Sequence, residues 1–176
     1  DRLYTTAADG IPRRSAQSAL YHLTHSLVRL FLPIISFTAE EAWESLTGDT
    51  DDSVLLHTWY KFPPQTEEEI LIKRWTRVRE LRAQVQKELE DARGNGEIGS
   101  SLAANVSISA FGEDYELLHS LGDDLRFVMI TSEVQLKQVD HFGEAAISVI
   151  PSKQVKCERC WHYCQDVGDY ADYPTL

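Results

Sequence analysis

From Arg13 onward apolar residues recur at steps of three and four, at Ala16, Ala19, Leu20, Leu23, Leu27, Leu30, Phe31 and Ile34, which predicts a helix burying one face. Pro33 kinks or ends it, because its ring clashes with the preceding turn and it donates no hydrogen bond. Thr38 followed by Glu41 has the form of a capping box, so a second helix is expected there, burying Ala42, Trp43 and Leu46 and stopping at Gly48. Residues 49 to 64 read as a loop with Val54 to Leu56 extended. Thr66 and Glu69 repeat the capping pattern at the head of the longest helix, whose stripe of Leu71, Trp75, Val78, Leu81, Val85, Leu89 and Ala92 runs to Gly94-Asn95-Gly96. Three such helices would pack as an antiparallel bundle, with Trp43 and Trp75 as its large core residues.

After the glycines the apolar period drops from 3.6 to 2. Val106, Ile108 and Ala110 alternate with serines as a strand, Tyr115 to Leu121 reads as a short helix, and Phe127 to Ile130, Val134 to Val139 and Ile147 to Ile150 read as further strands. The predicted class is therefore α+β: a helical bundle over 1–96, a small α+β subdomain over 97–151, and a tail over 152–176 organised by its cysteines.

The 176 residues carry a formal charge of -11, which argues against a general phosphate-binding surface. Distribution qualifies this. Lys73, Arg74, Arg77, Arg79, Arg82, Lys87 and Arg93 crowd the long helix, and Lys153, Lys156 and Arg159 flank the cysteines. On the helix, Glu80, Glu88, Glu90 and Asp91 interleave at pairing distance, so a solvated, salt-bridged face is the plainer reading. No apolar run is long enough to cross a bilayer and the first residues lack a signal-peptide pattern, so a cytoplasmic, monomeric protein without membrane contacts is expected.

The only spacing that implies definite chemistry is Cys157-Glu158-Arg159-Cys160. Two thiols separated by two residues can meet one zinc ion from a tight turn, and Cys164 is a better third ligand than His162, which lies too close to Cys160. A redox dithiol and an accidental pair are the alternatives; the first would need a helix capped by the cysteines. Trp161, beside Arg159 and Lys156, is either a rigid stacking surface for an unpaired base or local cover for the metal. No nucleophile and base constellation and no Gly-rich phosphate loop is present.

Asp1-Arg2-Leu3-Tyr4, Arg13-Arg14-Ser15-Ala16-Gln17, Leu32-Pro33-Ile34-Ile35-Ser36-Phe37-Thr38-Ala39-Glu40-Glu41-Ala42-Trp43, Ile98-Gly99-Ser100-Ser101-Leu102 and Lys156-Cys157-Glu158-Arg159-Cys160-Trp161 together resemble the C-terminal part of the bacterial isoleucyl-tRNA synthetases, a class I aminoacyl-tRNA synthetase family. The central stretch is shared with the valine and leucine relatives; its combination with Cys-x-x-Cys-Trp is more specific. The resemblance implies a helical anticodon-binding domain, an α+β appendage and the start of a zinc knuckle whose second Cys-x-x-Cys would follow. It implies tRNA as partner, with Trp161 and Arg159 as the leading RNA contacts and Arg13, Arg14 and Lys156 as further ones. Cys157 and Cys160 would hold zinc, with Cys164 as a third candidate, and ATP and Mg would act in the parent enzyme. The His-Ile-Gly-His and Lys-Met-Ser-Lys-Ser signatures that position ATP in this class are missing, so this stretch is expected to bind and not to catalyse. The competing readings are a helical adaptor with a zinc or redox knuckle that binds protein partners, and the same region of a valine or leucine relative.

Overall fold

A computed structural model describes residues 2–140 and 146–176, which form two compact units, Asp1–Thr66 and Glu67–Leu176. The first holds α1 (Arg2–Thr5), α2 (Ile11–Phe31), α3 (Ser36–Thr47) and a 3-10 turn at Val54–Leu56. α2 stops before Pro33, and Gly48 ends α3 in the left-handed conformation at φ 71. α3 does not start at Thr38. Ser36 donates from Oγ to Leu32 O at 2.8 Å and Ala39 N already bonds Ile35 O at 2.9 Å, so the helix is under way before the capping pattern begins. The expected extended piece at Val54 is instead the 3-10 turn, with Val54 fully buried against Val28, Ala39 and Trp43.

An aromatic and cationic cluster ties α2, α3 and the following loop together. His25 is buried, stacked on Tyr60 at 5.4 Å and edge-on to Trp43 at 5.2 Å, while the Arg29 guanidinium lies 4.5 Å over the Trp43 ring. Trp43 Nε1 donates to Asp52 at 3.0 Å, and the same carboxylate meets His57 Nε2 at 2.9 Å. Burial first, then the charges of Arg29, His22 and His57, push the His25 pKa below 6.5. Hydrogen bonds from His57 and Trp43 hold Asp52 below its ordinary 3.8. In the unfolded chain His25 takes up a proton near pH 6.5 that the folded unit refuses, so this part of the stability is complete above that pH and is lost as pH falls. Asp52 acts in the same direction, its contribution fading as acid protonates it. The urea midpoint of the first unit, followed by Trp43 fluorescence, is expected to drop between about pH 7.5 and about pH 5; a flat profile there would refute the buried neutral histidine.

In the second unit α4 (Glu68–Gly94) leads into a three-stranded sheet of order β2-β1-β3, made by β1 (Ala104–Ala110), β2 (Glu133–Gln138) and β3 (Ala146–Pro151). β1 and β2 are parallel, with Ile108 opposite Leu136, and their connection carries α5 (Gly112–His119) and α6 (Leu125–Met129) as parallel pairing requires. β3 is antiparallel to β1, with Ile108 opposite Ile147. Leu81, Val85, Leu89 and Ala92 of α4 pack with Val106, Ile108, Leu118, Leu125 and Met129.

Three expectations need correction. The α4 stripe from Leu81 to Ala92 packs on this sheet, and Trp75, expected as a large core residue, is 43% exposed, whereas Trp43 is 2% exposed. α4 starts at Glu68 after a left-handed Glu67, with no side-chain cap from Thr66. Phe127 to Ile130 is not a strand: Leu125 and Met129, four apart, are buried on one side of α6, and Ile130 at φ 60 ends it. A short apolar run has no period of its own to distinguish the two. Among the described residues no helix is long and apolar enough to cross a membrane.

Candidate nucleic-acid interface

The cysteine stretch is the loop of a small hairpin. β4 (Val155–Lys156) and β5 (Tyr163–Cys164) pair antiparallel, with Lys156 opposite Tyr163, and Cys157 N closes the loop on His162 O at 2.8 Å. Inside it Trp161 N bonds Cys157 O at 2.9 Å, and Trp161 has the left-handed φ of 65. The hairpin is anchored on the second unit by groups other than the cysteines. Tyr163 N donates to Ser132 Oγ at 2.6 Å, and Ser132 Oγ donates to Leu102 O at 2.5 Å. The buried His162 ring meets Phe127 edge-on at 5.3 Å. Burial, then the Arg126 charge, lowers its pKa, so it sits as a neutral packed ring. The last residues fold back, with Glu158 N bonded to Thr175 O at 3.1 Å.

Cys157, Cys160 and Cys164 are all free thiols. Burial raises the Cys157 pKa, but donation from the Cys160 and Arg159 backbone and from the Cys160 thiol outweighs it, and the balance lies below the ordinary value. Cys160 and Cys164 are both raised, burial first. Backbone N–H groups aimed at a sulfur from a tight turn suit a metal-bound thiolate, so Cys157 and Cys160 fit half of a tetrahedral site. Among the described residues no three His, Cys, Asp or Glu side chains converge on a metal position. No helix follows Cys160, which removes the setting a thioredoxin-like dithiol needs.

Trp161 is 62% exposed, and the Lys156 ammonium lies 5.0 Å from its ring centroid. A ring so open is not core. Lys156 and Arg159 are exposed on the same hairpin. Arg13 and Arg14 belong to the first unit, in the first turn of α2. The Arg13 guanidinium is spent on Leu3 O, tying α1 to α2, and only Arg14 is left on open surface. The basic face of α4 is largely engaged internally. Arg77 makes a two-pronged pair with Asp114 at 2.8 and 2.7 Å and also meets Glu80, and Arg93 pairs with Glu90. The cleft of about 650 Å³ beside it is rimmed by Glu113, Asp114 and Glu116 as well as Lys73 and Arg74, a mixed surface poorly suited to phosphates.

Residues 1–108 match the anticodon-binding domain of tRNA ligases. The chain belongs to this family. The matched anticodon-binding domain includes all of α4 and most of β1, and the hairpin lies beyond it. Over its whole length the chain is 63% identical to the isoleucine–tRNA ligase of Nitrosomonas europaea, of which it covers 19%. It is 51% identical to that of Burkholderia ambifaria and 52% to that of Paraburkholderia phytofirmans, covering 18% of each. The chain thus spans less than a fifth of the length of these curated relatives.

The sequence singles out the thiols, Trp161 and its basic neighbours as candidates, but not what holds them in place. Ser132, Phe127 and Arg126 are about 30 residues away along the chain, and nothing in local spacing announces a hydroxyl that will receive Tyr163 N. The left-handed backbone at Trp161 was equally hidden, since aromatic residues seldom adopt it.

Proposed function

We propose that this chain is the tRNA-binding C-terminal region of an isoleucine–tRNA ligase, supplying recognition to an enzyme that attaches isoleucine to its tRNA with ATP and Mg. The 63% identity to the Nitrosomonas europaea ligase across the whole chain carries this reading. The helical region would engage the anticodon stem-loop, with Arg14 and, less freely, Arg13 on phosphates. The hairpin would receive an unpaired base on Trp161, with Arg159 and Lys156 beside it. Cys157 and Cys160 would hold a structural zinc ion from one side, with Cys164 as a third donor; zinc there would lock the loop that carries Trp161. No residue of the chain has a chemical step to perform, and contacts to the anticodon would serve to place the tRNA's far end in a catalytic site elsewhere. The protein would act as a cytoplasmic monomer.

The test uses the purified 176-residue chain. It is expected to bind an isoleucine-accepting tRNA more tightly than a non-cognate tRNA at equal salt, and to give no isoleucine-dependent exchange between ATP and pyrophosphate. Equal affinity for both tRNAs would refute the recognition role, and measurable exchange would refute the division of labour.

A further inference from the structure

We infer that Lys156 and Trp161 form a one-sided stacking platform, in which Lys156 is a positioning residue that caps one face of the indole and leaves the other for a single unpaired nucleobase. This rests on the reading of the hairpin as an RNA contact and adds how the ring is presented.

The backbone argues first. Trp161 is one of three non-glycine residues at positive φ among the described residues, and it is the bulkiest of them. Glycine meets that geometry without strain, whereas an aromatic residue there is an outlier that the surrounding structure must enforce. Enforcement is visible in the bonds Trp161 N to Cys157 O and Cys157 N to His162 O. Strain of this kind would be expected to yield a compensating packing gain, yet the ring is 62% exposed and fills no core. What the left-handed turn achieves is to hold an indole out in solvent from a rigid loop, on a hairpin fastened by Ser132 and Phe127.

The cation argues second. At 5.0 Å from the ring centroid the Lys156 ammonium occupies one π face, attracted by the negative charge of that face. It is set there by its place in β4, opposite Tyr163, at the last paired step before the loop. With that face taken, a base can stack only on the other, so the platform accepts one ring, and its attraction for Lys156 limits the rotamers of Trp161 before RNA arrives. Lys156 therefore acts through the indole and not as a phosphate ligand, and the two roles leave different signatures in salt.

The test measures binding of an RNA hairpin with an unpaired loop to the 176-residue chain and its Lys156→Met, Lys156→Arg and Trp161→Ala variants, across a salt series. Lys156→Met is expected to weaken binding by about 2- to 30-fold, the range of a cation on an aromatic face, with the slope of affinity against salt unchanged and Lys156→Arg close to the parent. In the free protein, Lys156→Met should raise acrylamide quenching of the emission component that Trp161→Ala removes, because the second face opens. A loss of about 0.7 in the slope, the value for one single-strand phosphate contact, would overturn the capping role, as would an unchanged affinity in Lys156→Met while Trp161→Ala binds poorly. If Trp161→Ala itself binds as well as the parent, the RNA reading of the hairpin falls, and the platform with it.

Discussion

Replacing Trp161 by alanine is expected to weaken use of the cognate tRNA by about 5- to 150-fold, the equivalent of the roughly 1–3 kcal/mol that a base stacked on an aromatic ring contributes. If the chain belongs to an isoleucine–tRNA ligase as proposed, the same substitution in that enzyme should leave isoleucine activation unchanged, because activation needs no anticodon. The effect should appear in the KM for tRNA with kcat for activation intact, which separates recognition from damage to the catalytic part. Trp161→Phe should recover part of the loss, since a phenyl ring keeps a smaller stacking face at the same backbone position. The result also bears on the metal. If zinc on Cys157 and Cys160 locks the loop, a chelator should reproduce the Trp161→Ala loss in the parent protein and add little to the variant. An unchanged tRNA affinity in Trp161→Ala would return the indole to the status of an exposed surface ring with no ligand.

Long periodic helices were legible in the sequence because 3.6-residue periodicity is a property of the segment itself; α2, α3 and α4 all fall where their apolar stripes place them. What each stripe packs against was not legible. Leu20, Leu23, Leu27 and Leu30 of α2 read as a buried face, yet they are 46–50% exposed, and it is His25 and Val28 on another line of the helix that are buried. An apolar stripe reports that some partner exists in energy terms and is silent on which. Caps failed at α3 and α4 for a local reason: a Thr-x-x-Glu pattern is worth about 1 kcal/mol, less than the tertiary placement of the turn before it. At the site, the Cys-x-x-Cys spacing gave the thiols because ligand geometry depends on a few consecutive residues. The pairing of Lys156 with the Trp161 face was not readable, as it follows from strand register and a dihedral that only the folded hairpin fixes.

The sheet offers the sharpest test of that inside and outside. Ile108 lies at the centre of β1, 1% exposed, between Leu136 and Ile147 in register and beneath the stripe of α4. Ile108→Ala removes buried carbon from a site with neighbours on every side, so the cavity cannot collapse freely and the expected loss is about 2–5 kcal/mol. For a unit of this size that corresponds to a fall in Tm of about 10 °C or more. Ile150 belongs to the neighbouring strand of the same sheet but is 60% exposed. Its alanine variant should stay within about 0.5 kcal/mol of the parent, as surface substitutions do. The comparison holds residue type and secondary structure fixed and changes only burial. Because the hairpin hangs from Ser132, just before β2, Ile108→Ala should also weaken RNA binding at temperatures where the second unit begins to open, while Ile150→Ala should not. Equal midpoints for the two variants would mean that Ile108 is not in the core that α4 covers, and the packing of the long helix on the sheet would have to be redrawn.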